Sequence, residues 1–385
     1  MGVVFFSACA SDAQPYRLPT TDTSKSFNTQ FTPQAVTVTD TAEVAGPTRT
    51  PWTTQSESVT AGAGLNPLTG LVVQNPQLLR RRPILVKIQN LPRPRLQWGL
   101  TQADNVYEYY TEQGTTRFAA IFYGNDATQV APIRSARFVD MQLIQMYKAL
   151  FVFGSAYQDL LDKLLAADYA PRLLLEQPDS CPAICRYDPN EKNFLTTDTT
   201  ALQGYVAKLG IDNSQQDLSG LTFSQQAPEG GDSAERIYIR YSGAIYNRWD
   251  YDAGSGRYLR FADAQDDAKY ENEVYEPLID QLNGQQVAAD TVVLILADYS
   301  LINKNEEGEV YDIDLMGAGM AYAARDGKLY TLVWKREADS DLIHLYDEAG
   351  NVFPLKPGQT WYEMLGYTSR ILRNGPEWRF TFYIP

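Results

Sequence analysis

The sequence predicts an α/β N-terminal domain followed by a β-rich (α+β) C-terminal domain. Between Ile84 and Ala167, short β-rich runs alternate with stretches of helical period. From about Glu235 the pattern changes to alternating strands separated by turns that carry Gly and Asp. Ahead of both, residues 10–64 are rich in Thr, Ser, Gln and Pro and show little apolar periodicity. The chain therefore divides into residues 1–9, a stalk at 10–64, an α/β domain at 65–228 and a β-rich domain at 229–385.

Val3-Val4-Phe5-Phe6-Ser7-Ala8-Cys9 reads as the last part of a secretion signal, with apolar then small residues before a cysteine. It is similar to a bacterial lipobox. In that reading the chain is cut before Cys9 and the thiol carries lipid, which tethers the protein to the membrane on its extracytoplasmic side. No Lys or Arg precedes the apolar run, so the signal reads as a truncated one. The Thr-rich segment behind it cannot bury enough surface to offset its conformational entropy and is expected to be a disordered stalk.

Composition excludes several classes. There are 47 acidic against 33 basic residues, a net charge of -14, which disfavours nucleic acid as a partner. Three cysteines and one histidine, His344, leave almost nothing for a His/Cys metal cage or a Ser-His-Asp triad. Neither a metal centre nor a cofactor is predicted, and no apolar stretch reaches the ~18 residues needed to span a bilayer.

The first domain begins at the Pro/Gly turn Asn66–Leu71. Pro83–Gln89 is short and rich in Ile and Val, as in a buried strand. Two prolines stiffen Leu91-Pro92-Arg93-Pro94-Arg95 into an extended loop. Val106–Tyr110 and Arg117–Tyr123, split by Glu112-Gln113-Gly114, predict a hairpin. Val139, Leu143, Met146 and Leu150 follow a helical period, and Tyr157–Ala167 predicts a second helix after a short strand at Phe151–Phe153. In the second domain Arg236–Tyr241 alternates, Asp252–Gly256 closes a hairpin, and further strands are expected up to Trp378–Ile384, as in a sandwich or partly closed barrel. Asn303-x-Asn305-x-Glu307-Gly308 has a loose likeness to a calcium loop, but its first and last ligand types are wrong, so a hairpin turn is the expectation.

NPLTGL at Asn66–Leu71, the RPILVKIQN strand, Gln97-Trp98-Gly99-Leu100, QADNVYE, the TRF strand and PIRSAR before a helix together resemble the YerB-like bacterial lipoproteins, a family of domains of unknown function. Weaker likeness continues through Ile313–Gly319, Val333–Arg336 and Pro357–Trp361. The resemblance implies the two-part body and the lipid anchor; it implies no activity. Where the family pattern leads one to expect a His-Asn-Leu-Tyr-like stretch, this chain has Lys192-Asn193-Phe194-Leu195, so no role passes to that position. Just ahead, Cys181 and Cys185 are close enough for a local disulfide outside the cytoplasm, the alternative being a reduced or metal-binding pair.

The sharpest chemical constellation is Arg117, Arg134 and Arg137 with Asp104 and Glu108. Guanidinium groups bind carboxylate or phosphate bidentately, and paired carboxylates can serve as acid and base. One reading is a pocket for an anionic ligand of the envelope; the other is that these charges pair among themselves and fix the turn. At the level of function, the sequence points to a membrane-tethered extracytoplasmic binding or scaffold module. The rival is an envelope enzyme acting on a phosphorylated lipid or glycan.

Overall fold

The structure, a computed structural model, describes residues 64–384 except 93–94, 188–193 and 306–307. Cys9, the stalk expected up to residue 64 (all but its last residue), Arg93, Lys192, Asn193 and Glu307 lie outside the described residues.

The first half supplies β1 (Ile84–Asn90), β2 (Asn105–Tyr110), β3 (Thr116–Phe122), α1 (Phe138–Tyr147), β4 (Leu150–Val152), α2 (Gln158–Ala166) and β5 (Leu173–Leu174). A small ribbon of β6 (Ile184–Arg186) and β7 (Leu195–Thr197) precedes α3 (Thr199–Lys208). The second half brings β8 (Asp232–Ser233), β9 (Arg236–Arg240), β10 (Tyr246–Asp252), β11 (Arg257–Asp263), β12 (Tyr275–Pro277) and β13 (Ala288–Ala289). The long β14 (Thr291–Asn305) follows, then β15 (Gly308–Asp314), β16 (Gly317–Arg325), β17 (Lys328–Arg336) and β18 (His344–Tyr346). The chain ends with β19 (Thr360–Gly366), β20 (Arg370–Asn374) and β21 (Glu377–Thr381).

The N-terminal part is thus a mixed α/β sheet with helices, and the C-terminal part is β-rich and forms a sheet of its own in the order β12-β11-β10-β9-β21-β20. The C-terminal part also extends the first sheet, whose order is β18-β17-β16-β14-β19-β2-β3-β1-β4-β5. The joint is β19, which runs parallel to both β14 and β2. Hydrogen bonding therefore crosses the change of composition near residue 228.

Local chemistry explains the elements. β1 is buried nearly throughout because strands cover both its edges and layers cover both its faces. The β2–β3 hairpin turns through Gln113 and Gly114, both at positive φ, where glycine carries no Cβ penalty. At the start of α1 the Asp140 carboxylate reaches back and accepts from the Arg137 backbone N–H at 2.6 Å, the N3 half of a capping box. α3 is capped by Asp198, which accepts from Thr200 N and Ala201 N.

Period-two alternation on β2 decides what meets what. Tyr107 and Tyr109 point to α1, where Tyr107 Oη lies 2.7 Å from Tyr147 Oη. Glu108, between them, points the other way into the second sheet, whose inner face presents Trp249 and Arg260. The second sheet therefore packs on one face of the large sheet, with α1 on the opposite face.

The potential calcium loop falls in the β14–β15 hairpin, where Asn305 stands opposite Gly308. Cys181 and Cys185 are joined in a disulfide.

Candidate functional site

Two of the predicted arginines come together. Arg117 on β3 donates to Ser135 O at 2.6 Å and to Glu112 Oε1 at 2.8 Å. Arg137, the N-cap of α1, donates from Nε to Glu112 Oε2 at 2.8 Å and from Nη1 to Ala136 O at 2.8 Å. Burial works against ionising Glu112, but the charges of Arg117 and Arg137 outweigh it and hold its carboxyl below the ordinary range. Arg134 stands apart and donates to the side chain of Gln89.

Neither predicted carboxylate joins them. Asp104 is buried at the start of β2 and accepts from Asn66 Nδ2 at 2.7 Å, Tyr123 N at 2.5 Å and Gly124 N at 3.0 Å. Burial pushes its carboxyl up to about 6. Glu108 sits on the other face of the sheet from Arg117 and accepts from Asn90 Nδ2 at 2.9 Å, Thr116 Oγ1 at 2.7 Å and the guanidinium of Arg260. Beside it on β19, Glu363 accepts from Arg260 at 2.8 Å, Trp249 Nε1 at 2.9 Å and Tyr241 Oη at 3.0 Å. Burial, reinforced by the charge of Glu108, raises the Glu363 carboxyl to about 7. The five predicted residues occupy four separate places, each already supplied with protein partners. Opposite Glu108, the α1 face holds a further buried pair, Lys87 Nζ donating to Asp140 Oδ1 at 3.1 Å. Desolvation lowers the Lys87 ammonium to about 7.

The open feature is elsewhere, on the outer face of the second sheet. A cleft of about 630 Å³ is lined by Tyr238 and Arg240 of β9, Arg248 of β10, Tyr275 of β12, Arg370 of β20, Arg379 of β21, and Tyr270, Glu271, Asn272 and Glu273 of the loop before β12. Arginines and rings interleave in its floor. The Arg379 guanidinium lies 4.4 Å from the Tyr238 ring centre, Arg248 lies 4.9 Å from Tyr275, and Arg240 lies 3.8 Å from Tyr270. Glu273 receives Arg240 at 2.9 Å and Arg379 at 2.7 Å, and Arg240 also reaches Asp267 at 2.9 Å. Burial opposes ionisation of Glu273, yet bonds from Arg379, Tyr275 and Arg240 keep its carboxyl below the ordinary range. Arg248 pairs with Asp250 at 2.8 Å.

Arg370 is exposed and makes no ion pair among the described residues. Such a group is a ready donor for a bound molecule. The alternation Arg236-Ile237-Tyr238-Ile239-Arg240 marks the strand in the sequence, and its polar half is the signal for this site.

An open polar cleft on the outer face of a sheet is the kind of concavity in which ligand sites are found. Residues 68–212 match the N-terminal domain, and residues 237–362 the C-terminal domain, of a family described as "Protein of unknown function (DUF3048)", and the chain belongs to that family. It is 25% identical over 313 residues, 78% of this chain and 85% of the relative, to a protein of Bacillus subtilis (strain 168) named "Putative lipoprotein YerB". The crystal structure of YerB protein from Bacillus subtilis shares the fold, with a TM-score of 0.65 at 24% identity over 78% of this chain and 96% of that one.

Proposed function

We propose that the protein is a membrane-tethered extracytoplasmic binding module of the bacterial envelope that holds an anionic ligand in the cleft of the second sheet. The observation that carries this reading is the cleft itself, with an exposed Arg370 that makes no ion pair among the described residues. The tether rests on the lipobox-like residues 3–9, the Thr-rich stretch behind them and the name of the Bacillus relative. An enzyme built on Asp104, Glu108, Arg134 and Arg137 would need them in one cleft, and they lie in different layers.

The tether is tested by expressing the full chain behind an intact lipoprotein signal in a bacterial host and fractionating the cells. The expected result is recovery with the membranes, and release of a Cys9→Ser variant into the soluble extracytoplasmic fraction. A variant that stays with the membranes as the wild type does would refute lipidation at Cys9. The site is tested by calorimetric titration with tripolyphosphate and with acidic oligosaccharides. Binding that an Arg370→Ala variant retains in full would remove the ligand from this cleft.

A further inference from the structure

The cleft is not a uniformly positive basin. Four arginines line it, Arg240, Arg248, Arg370 and Arg379, and four carboxylates stand with them, Glu271 and Glu273 in the lining and Asp250 and Asp267 behind. A compact polyanion entering here would gain Arg370 but would also face Glu271 and Glu273, and like charges brought together at low dielectric are costly. The lining suits a molecule that carries few charges and many hydrogen-bonding groups. Paired guanidinium and carboxylate groups offer both donors and acceptors.

The mouth adds flat apolar surface. Tyr270 is 63% exposed and Tyr383 is 51% exposed, although both are large rings at the rim of a site. Tyr270 sits at φ 62°, in the left-handed region that aromatic residues seldom adopt. The loop is fixed there by Asp267, whose backbone oxygen accepts from Tyr270 N at 3.2 Å and whose carboxylate accepts from Glu271 N at 2.9 Å and Asn272 N at 3.2 Å. One face of the Tyr270 ring rests on Arg240. Local strain that places an aromatic face outward beside hydrogen-bonding groups is the kind of outlier that marks a ligand clamp.

From these features we infer that the cleft takes an acidic saccharide: a short stretch of sugar rings whose C–H faces lie on Tyr270 and Tyr383, whose hydroxyls bond to the paired arginines and carboxylates, and whose acid group meets Arg370. This rests on the proposal that the cleft binds an anionic ligand and narrows the ligand's class. The volume, about 630 Å³, lies within the roughly 300–1,000 Å³ of small-ligand sites, and the cleft is open, so a segment of a longer polymer fits as well as a free oligomer.

The test is titration calorimetry on the full chain with three probes: a hexasaccharide of alternating glucuronic acid and N-acetylglucosamine, uncharged chitohexaose, and tripolyphosphate. The acidic hexasaccharide is expected to bind at least about tenfold more tightly than the other two, the worth of one charge-assisted contact. Tyr270→Ala and Arg370→Ala are each expected to weaken it about tenfold, while Tyr270→Phe keeps the ring and binds as the wild type does. Arg370→Lys recovers part of the loss. Circular dichroism and melting curves show whether each variant is folded.

Equal binding of chitohexaose overturns the acidic class. Binding of tripolyphosphate alone overturns the saccharide and leaves the anion-binding cleft standing. No binding of any probe at millimolar concentration overturns both.

Discussion

Arg117 and Arg137 close on Glu112 at the β2–β3 turn, whereas Arg240, Arg248 and Arg379 spread over a sheet face beside an Arg370 that makes no ion pair among the described residues. Both clusters are arginine-rich and both lean on carboxylates. In the first, two guanidinium groups share one half-buried carboxylate and direct their remaining hydrogens at the carbonyls of Ser135 and Ala136. In the second, rings lie between the charges, Arg370 makes no ion pair among the described residues, and the surface is open. The difference teaches that an arginine count does not identify a site. What matters is whether the protein has already satisfied the guanidinium.

The limiting case of the closed kind is Arg260, 1% exposed between Glu108 and Glu363 and within 4.5 Å of the Trp361 ring centre. Arg260→Ala would leave two carboxylates on adjacent strands without a countercharge, and removing one partner of a buried pair costs about 3–5 kcal/mol. Urea denaturation should show the largest loss of any single change considered, with the slope unchanged. A loss below about 1 kcal/mol would mean that the triad is wet rather than closed. Replacing all three residues together, Arg260→Met with Glu108→Gln and Glu363→Gln, should recover much of it.

The same triad gives a pH signature. The folded Glu363 carboxyl, raised to about 7, stands above its ordinary value of 4.5. The folded state therefore holds a proton that the unfolded state has released across that window. Its contribution is fully present below 4.5 and is lost as pH rises through about 7, a change of order 3 kcal/mol. Asp104, raised to about 6, acts in the same direction at lower pH, so the measurement is a difference: Glu363→Gln should flatten stability against pH between about 4.5 and 7 relative to wild type. Lys87, lowered to about 7 from 10.5, acts above this window. Parallel profiles would refute the assignment.

Glu112→Ala probes the turn cluster directly. Glu112 is partly exposed, so the loss of its two ion pairs should cost only about 1–2 kcal/mol. The comparison sharpens if this variant binds the acidic hexasaccharide as tightly as wild type. Weakened binding would make the turn cluster part of the site.

What the sequence showed of this followed from period and proximity. The β2–β3 hairpin, the short β4 and the helices α1 and α2 were legible because each is written in a local pattern. The insertion of β19 between β2 and β14 was not, because parallel pairing across some 250 residues leaves no local mark. α3 escaped although Asp198 caps it, since its apolar period is weak. Within the predicted constellation, alternation on β2 already separates Glu108 from Arg117: Glu108 stands opposite Phe118, and Arg117 opposite Tyr109. Glu112, read only as a turn residue, is the carboxylate the arginines use. The cleft was half visible, because the apolar half of Arg236–Arg240 declared the strand while its polar half carried the chemistry.

The smallest expected effect on stability is the most telling for function. Arg370 lies on the edge strand β20, exposed, with no ion pair among the described residues, and its substitution touches no buried group. Arg370→Ala should move Tm by less than about 2 °C, as surface changes away from caps and cores do. An arginine held for folding would instead show its loss in the melting curve, as Arg260 and Glu112 are expected to. If Arg370→Ala melts as wild type does yet loses the acidic hexasaccharide, the open cluster is a site. If it lowers Tm by an amount comparable to Glu112→Ala, the second cluster is closed like the first, and the contrast between them fails.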